Sequence, residues 1–311
     1  MTVGISFTNE LEAIVIADSR ISGSGRHSDS FNKMVSFKDK KNNYHGEIFG
    51  TGSADAAESI FRNPEDFSGE TLDDYVASIH QKLKTRSDEF AERHFKNENK
   101  KIQNKALLID DEKQRKEFIE NETARALRKY EDFTEQNKTS FIIVAYDVQK
   151  NKIRNFGVSI HNYYEIFLQH TEVGSGSDGA NMYLSTKLQG IETKKLKTAD
   201  LIFYATNAYS MATVNEGVGG MPKMVLIRKE GNIPLSLEKT AALTNLSGAH
   251  LAEFSKKLDS ESTIGYFKDV LSSDKPDYDK IAEVLCLNKE AIIGMAIPYS
   301  VWQERANSKR I

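Results

Sequence analysis

Thr2, Asp18 and Lys33 are the residues whose chemistry stands out in this sequence of 311 residues. If Met1 is removed, Thr2 carries a nucleophilic hydroxyl and a free α-amine on one residue. An α-amine has an ordinary pKa of about 7.7–8.0, so it can accept the proton of the adjacent hydroxyl near neutral pH. Lys33, held cationic by Asp18, would help to keep that amine neutral. The alternative is an ordinary first strand followed by a turn at 18–20.

A predicted hairpin places these residues together. Two apolar runs, 3–7 and 13–17, flank a turn at 9–10, so the end of the second strand lies beside the start of the first. Lys33 precedes a third predicted strand, 34–37, which can bring its ammonium to the same point. The sequence therefore predicts that a threonine, a carboxylate and a lysine converge at one end of the hairpin.

Three short motifs resemble a known family. Residues 2–5 (Thr-Val-Gly-Ile), 17–20 (Ala-Asp-Ser-Arg) and 32–34 (Asn-Lys-Met) are similar to those of the N-terminal-threonine (Ntn) hydrolases of the proteasome β-subunit group, which includes bacterial HslV and Anbu proteins. The Asp-Ser-Arg triplet followed by Lys-Met is closest to Anbu. The resemblance implies that the threonine is the nucleophile and that the aspartate and the lysine control its protons.

The resemblance implies an α+β fold, a four-layer α-β-β-α Ntn-hydrolase sandwich, over residues 1–230. We expect a helical insertion at 97–138 to interrupt this domain and a mainly helical C-terminal extension at 231–311 to follow it. The insertion is either a docking arm, an obstacle over the active-site mouth, or a solvated lengthening without a partner. The extension would form a subunit interface, cover the site or add packing, and we favour the interface.

Periodicity and turn residues predict the remaining elements. The further predicted strands are 44–49, 140–146, 152–160, 163–168 and 221–227. The predicted helices are 54–62, 72–96, 180–188, 198–214, 237–258, 261–272 and 278–290. Residues 292–302 are apolar enough for a strand or a docking segment.

Two glycine-rich turns resemble supporting elements of the family. One ends a predicted strand before a helix, where backbone N–H groups lack internal partners, and the family uses this junction as its oxyanion hole. The candidate amides are those of Gly50, Thr51 and Gly52. The other is a Gly-Ser-Gly-Ser turn, whose serine hydrogen-bonds the nucleophile's amine in the family. Ser175 is the first candidate for that role and Ser177 the second, although each turn alone is an ordinary helix cap.

Other positions depart from the family pattern. Counting back from the glycines at 219–220, Asn215 occupies the place of the family's aspartate and Val218 that of its serine. Neither residue supplies the negative charge or the hydroxyl. A similar spacing at 207–210 falls within a predicted helix, so we prefer the alignment at 215–218.

Ser22 matches the family position whose backbone pairs with an extended substrate by strand addition.

Composition excludes several classes of function. The formal charge of −3, with both signs interspersed, gives no field that would drive nucleic-acid binding. Cys286 is the single cysteine, which excludes an intrachain disulfide and fits a reducing compartment. No apolar stretch reaches the length of a membrane helix, so we expect a cytoplasmic protein without a membrane partner. The histidines lack ligand spacing and no phosphate-binding motif is present, so we expect no metal and no cofactor.

These observations predict a threonine protease. It would cleave amide bonds in peptides or unfolded proteins through an acyl-threonine intermediate after removal of Met1. The resemblance implies a homo-oligomer, either a ring or a helical stack, and any ATP-dependent unfoldase would be a separate chain. Two alternatives stay open: a proteasome-related transpeptidase or ligase, in which an amine intercepts the acyl-threonine, and an inactive assembly scaffold that keeps Met1.

Overall fold

The computed structural model describes residues 3–18, 21–23, 26–28, 33–51, 60–136, 140–214, 218 and 220–309. In chain order its strands are β1 Gly4–Thr8, β2 Ala13–Ala17, β3 Ile21–Gly23, β4 Arg26–Ser28, β5 Met34–Lys38, β6 Tyr44–Thr51, β7 Ser140–Asp147, β8 Lys152–Ser159, β9 Tyr163–Ile166, β10 His170–Val173, β11 Lys223–Arg228 and β12 Gly231–Pro234. Its α-helices are α1 Leu72–Ala106, α2 Glu112–Gln136, α3 Ser177–Lys187, α4 Thr198–Ala212, α5 Leu237–Leu251, α6 Ser260–Ser272, α7 Tyr278–Leu285, α8 Lys289–Gly294 and α9 Tyr299–Lys309.

Two five-stranded antiparallel sheets form the centre of the fold. The first has the order β10-β1-β2-β11-β12 and the second has the order β5-β6-β7-β8-β9, while β3 and β4 pair separately. The two sheets pack face to face. Alternate residues of β2 point in opposite directions, so one face of this strand contacts the helices and the other contacts the second sheet. Ile14 and Ile16 face the helices, whereas Val15 contacts the second sheet. On the second sheet, Ile143 belongs to a separate apolar cluster shared with α1.

The layers therefore follow the order helix, sheet, sheet, helix. Helices α3, α4 and α5 share the apolar cluster of the first sheet, and α1 covers the second sheet. The predicted α+β, four-layer α-β-β-α arrangement is confirmed. Among the described residues, no helix combines the length and the apolar character that crossing a membrane requires.

The predicted hairpin at the start of the chain is confirmed. β1 and β2 are antiparallel, with Gly4 opposite Ala17. The turn between them is fixed by Asn9, whose side-chain oxygen accepts the backbone N–H groups of Leu11 and Glu12. Such an Asx turn replaces the backbone hydrogen bonds that the chain gives up on reversing direction. The other predicted strands agree with the observed ones to within two residues at each end.

The insertion differs from the prediction at its start. Helix α1 does not end at residue 96 but continues without a break to Ala106, and α2 packs against it. The segment contains neither Gly nor Pro, and its Lys, Glu and Gln residues are strong helix formers. A Thr71–Asp74 capping box fixes the start of α1. Of the predicted helix 54–62, residues 60–62 are described, and 60 and 61 are helical.

Of the two alternatives for residues 292–302, a strand or a docking segment, the strand is wrong. This stretch holds the end of α8, a short connection and the start of α9, whose single tryptophan, Trp302, is fully buried. The predicted helix 278–290 is likewise two helices, because Cys286 adopts a left-handed conformation (φ +51°) that ends α7. The last five helices contribute to the apolar cluster of the first sheet, so the C-terminal extension packs as part of the fold.

Candidate active site

Asp18 and Lys33 form a buried ion pair between the two sheets. Lys33 Nζ donates to both carboxylate oxygens of Asp18 at 3.0 Å. The side chain of Lys33 is 6% exposed and that of Asp18 is 0% exposed. Asp18 follows the last residue of β2 and Lys33 precedes the first residue of β5, so the pair joins the sheets at one end of the sandwich. The structure thus brings together two of the residues that the sequence predicted to meet.

The carboxylate is also fixed to the start of the first strand. Val3 donates its backbone N–H to Asp18 Oδ1 at 2.9 Å, and the Asp18 N–H donates to the Val3 carbonyl at 3.1 Å. The ion pair therefore sits beside the residue that follows Thr2 in the chain. Thr2 itself lies outside the described residues, as do Gly52 and Asn215.

Strand β10 carries the serine turn to the same end. Val173, its last residue, is paired with Gly4 of β1, so the turn that follows lies beside Val3. A Cβ on Gly176 would lie 3.2 Å from Val3 Cβ and 2.7 Å from Val218 Cγ2. Position 176 therefore needs a glycine for this close approach.

The two candidate serines differ in their surroundings. Ser175 is exposed in the turn, whereas Ser177 is half-buried as the first residue of α3. Val218, at the place of the family's serine, is buried and packs its methyl group on the turn. Asn207 lies within α4, where its amide donates to the Tyr183 hydroxyl at 2.8 Å. That bond supports the packing of α4 against α3.

Gly50 and Thr51 are the last two residues of β6. The register of β5 and β6 pairs Met34 with Phe49, so the next residues along the two strands are Lys33 and Gly50. A Cβ on Gly50 would lie 2.5 Å from the Ser140 carbonyl oxygen of β7, so this position also needs a glycine. Gly50 and Thr51 are thereby placed at the end of the sandwich that holds the ion pair.

Ser22 occupies β3, where it is opposite His27 of β4. This two-stranded sheet is separate from the two central sheets, and it begins three residues after Asp18. Ser22 is therefore close to Asp18 along the chain.

Sequence reasoning missed Lys223, the first residue of β11. Lys223 is paired with Ala17, the neighbour of Asp18, and its Nζ donates to the Met34 carbonyl at 3.2 Å. Met34 is in turn the neighbour of Lys33. The available signal was a lysine at the start of an otherwise apolar predicted strand, which also fits an exposed strand end.

Glu47 is a second charged residue that the sequence analysis did not single out. It is fully buried in β6, and its Oε1 accepts hydrogen bonds from the Ser36 hydroxyl and, at 3.0 Å, from Asn232 Nδ2. Burial raises the pKa of Glu47 to about 7, against smaller lowering effects from the Ser36 hydrogen bond and the charge of Lys223. An acid that titrates near neutral pH therefore lies between the sheets.

Within the described ranges, no three His, Cys, Asp or Glu side chains are grouped so that they could hold a metal ion. The site as described consists of one buried carboxylate–ammonium pair, two turns with glycines at close approaches, and the start of β1. Such a set can govern proton transfer at a neighbouring nucleophile.

The sequence was compared with known proteins and the fold with solved structures. No protein-family model matches the sequence, and no curated protein matches it. The fold matches the Anbu (Gly-1) mutant from Hyphomicrobium sp. strain MC1 with a TM-score of 0.52 at 12% identity, covering 81% of this chain and 97% of that chain. Anbu from the same strain gives 0.52 at 11% identity, covering 81% and 95%.

A structure of Anbu (ancestral beta-subunit) from Yersinia bercovieri aligns with a TM-score of 0.49 at 11% identity, covering 75% of this chain and 87% of that chain. The two Hyphomicrobium matches extend over most of both chains, although sequence identity is low. They show that this chain has the fold of these Anbu structures.

Proposed function

We propose that this protein is an N-terminal-threonine hydrolase that cleaves amide bonds in peptides or unfolded proteins. The observation that carries the proposal is the buried Asp18–Lys33 pair fixed to the backbone of Val3. A buried ion pair contributes little net stability compared with apolar side chains of the same size. Its place beside the residue after Thr2 therefore favours a chemical role for the charges over a packing role.

In this proposal Thr2, freed of Met1, supplies both the nucleophile and the base. Its α-amine takes the hydroxyl proton as the oxygen attacks the substrate carbonyl. The tetrahedral intermediate then expels the amine of the substrate, which takes the proton, and an acyl-threonine ester is left. Water attacks the ester, releases the acid and restores the hydroxyl. Lys33 favours the neutral amine and the alkoxide, and Asp18 keeps Lys33 charged.

The backbone beyond β6 would hold the oxyanion. Thr51 is paired with Ser140 in the ladder between β6 and β7. The candidate amides are those of Gly50, Thr51 and Gly52, at the end of β6 and immediately after it in the sequence. Ser175, exposed in the turn beside Val3, is our choice for the hydroxyl that orients the amine.

One observation favours the inactive scaffold as a second candidate. Val218 fills the place of the family's serine with a buried methyl group, so no hydroxyl is supplied from that position. Asn215 would lack the charge of the family's aspartate. If these positions tune the amine, the nucleophile would be weakened.

Intact-mass measurement and a covalent probe separate the candidates. We expect the purified protein to lack Met1 and to form an adduct with a peptide epoxyketone, which reacts with an adjacent hydroxyl and amine. Thr2→Ala should abolish both the adduct and the cleavage of fluorogenic peptides. Thr85→Ala, at an exposed position of α1, is the matched control and should behave as wild type. Retention of Met1 or absence of an adduct would favour the scaffold.

Product analysis distinguishes hydrolysis from transpeptidation. Adding a peptide amine at millimolar concentration to the reaction should leave the acid as the main product of a hydrolase. A transpeptidase would join the acyl group to the added amine. Peptides or unfolded proteins are the proposed substrates, and a folded substrate would require a separate ATP-dependent unfoldase.

We also propose that the chain forms homo-oligomers. Several large apolar side chains are exposed, including Phe167 and Leu168 after β9 and Leu108 between α1 and α2, each at least 65% exposed. Exposed apolar clusters are typical of association surfaces. Light scattering coupled to gel filtration should give a mass that is a multiple of 35.0 kDa.

A further inference from the structure

Lys223 contacts both strands that carry the ion pair. Its backbone is paired with Ala17, the last residue of β2, and its side chain reaches across to the second sheet. There the ammonium donates to the carbonyl of Met34, the first residue of β5, at 3.2 Å. The residues next to these two contacts are Asp18 and Lys33. One side chain thus ties together the two chain segments whose spacing sets the ion pair.

Strand β5 needs such a tie because it lies at the edge of its sheet. β6 is its only neighbour in the strand order of that sheet, so ladder hydrogen bonds hold it from one side. Lys223 adds a hydrogen bond from the first sheet at the residue that follows Lys33. This bond adds to the Asp18–Lys33 ion pair, which joins the same two chain segments.

The charged surroundings of Lys223 come from three elements. Asp18 and Lys33 lie next to its two contact points, and Glu47 of β6 is close enough for the charge of Lys223 to lower the pKa of that acid. Glu47 Oε2 is buried, and among the described residues it has no hydrogen-bond partner. A lysine facing a partly satisfied buried acid and a backbone carbonyl is therefore held in place by charge as well as by packing.

We propose that Lys223 is a positioning residue for the reaction: it holds Lys33 against Asp18 and adds a second positive charge beside the chain segments that carry this pair. The inference rests on the proposed function. The hydrogen bond to Met34 holds the start of β5 in a fixed position against the end of β2. The added charge disfavours protonation of the Thr2 amine and so extends the pH range in which it acts as a base.

The test uses the full chain and three variants. Lys223→Met removes the charge and the hydrogen bond, Lys223→Arg keeps the charge, and Lys150→Met removes a lysine at the opposite end of the second sheet, after β7. The second-order rate constant for adduct formation with the peptide epoxyketone is measured from pH 6 to 9. Hydrogen exchange of the segment 33–36 is measured by mass spectrometry in parallel.

We expect Lys223→Met to react at least tenfold more slowly and to need a higher pH for half-maximal rate. Lys223→Arg should recover most of the rate and the wild-type pH profile, because it keeps the positive charge. If the role of Lys223 were only structural, Lys223→Met would keep the wild-type pH profile. Exchange at 33–36 should be faster in Lys223→Met only. Lys150→Met should match wild type in all three measurements.

Two results are informative in opposite ways. If wild type forms the adduct and Lys223→Met reacts at the same rate with the same pH profile, the positioning role is overturned while the proposed function stands. If wild type is inert, the proposed function fails, and with it the catalytic part of this inference. Faster exchange at 33–36 would then support only the structural tie.

Discussion

Asp18 Oδ1 accepts hydrogen bonds from both the Val3 backbone N–H at 2.9 Å and the Lys33 ammonium at 3.0 Å. A single oxygen thus links the start of β1 to the lysine that precedes β5. Because this oxygen has two donors, its position is fixed relative to both segments. The backbone of Val3 is thereby held next to a defined ion pair.

Breaking this pair from one side should be costlier than neutralising both sides. Lys33→Met leaves a buried carboxylate without its counter-ion, and we expect the free energy of unfolding to fall by about 3–5 kcal/mol. Asp18→Asn removes the buried negative charge beside the ammonium and should cost a similar amount. The double variant should lose clearly less than the sum, as measured by urea unfolding. Full additivity would contradict the coupling.

An exposed pair provides the control for this cycle. Lys101 and Glu98 are 2.6 Å apart on α1, with the lysine 68% exposed. Lys101→Met should change the free energy of unfolding by less than about 1 kcal/mol.

Glu47 should make the stability of the protein depend on pH. Its pKa is raised by burial from an ordinary value of 4.5 to about 7, so between these values the folded protein binds a proton that the unfolded chain has released. The free energy of unfolding therefore falls as pH rises through this range, by about 3 kcal/mol at most. Glu47→Gln stays neutral and should remove this fall.

The comparison must be made between variants, because His45 titrates in an overlapping range. Burial lowers the pKa of His45, so its contribution to stability increases as pH rises. Urea unfolding at pH 5 and pH 8 should show that the free energy of unfolding of Glu47→Gln increases relative to that of wild type at the higher pH. Glu117→Gln, at an exposed position of α2, should show no such gain. An equal change in the free energy of unfolding between pH 5 and pH 8 for wild type and Glu47→Gln would refute the prediction.

Gly4 is required by the packing of the two sheets. A Cβ at this position would lie 2.4 Å from Phe49 Cδ2, a ring that is fully buried between the sheets. Gly4→Ala should lower the free energy of unfolding by about 1–3 kcal/mol, and a second change, Phe49→Leu, should recover part of the loss. Thermal unfolding followed by circular dichroism measures both effects.

The matched control for Gly4→Ala is a glycine with open space around it. Gly265 lies within α6, and a Cβ there would meet nothing within 4 Å. Gly265→Ala should raise stability by up to about 1 kcal/mol, because alanine favours the helix. An equal loss in both variants would show that the contact with Phe49 is not the cause.

The parts of the fold that could be predicted are those in which neighbouring residues determine the structure. The apolar runs of β1 and β2 and the turn residue Asn9 were sufficient for the hairpin, and the hairpin placed Asp18. Strands β3, β4, β10 and β12 were missed. Each has three or four residues, and their pairing is decided by the strands beside them rather than by their own composition.

The charged residues inside the sandwich could not be assigned from the sequence for a related reason. Glu47 and Lys223 interrupt apolar runs, which is also the pattern of a strand with one exposed face. Their burial depends on contacts between the two sheets, such as that of Asn232 with Glu47, which join residues 185 positions apart. Periodicity along one strand carries no information on such contacts.

The C-terminal extension should unfold together with the two sheets rather than separately. Trp302 is fully buried, stacks edge-on against Phe254 and lies against Gly248, whose Cβ would come within 2.5 Å of the indole. Trp302→Ala should therefore lower the free energy of unfolding by about 3–5 kcal/mol. Circular dichroism should still show one transition, because the extension shares its apolar cluster with the first sheet.

The control for this variant is Leu237→Ala, at an exposed position of α5, which should leave the free energy of unfolding nearly unchanged. Two separate transitions in the Trp302→Ala variant would instead show that residues 231–311 fold as an independent unit.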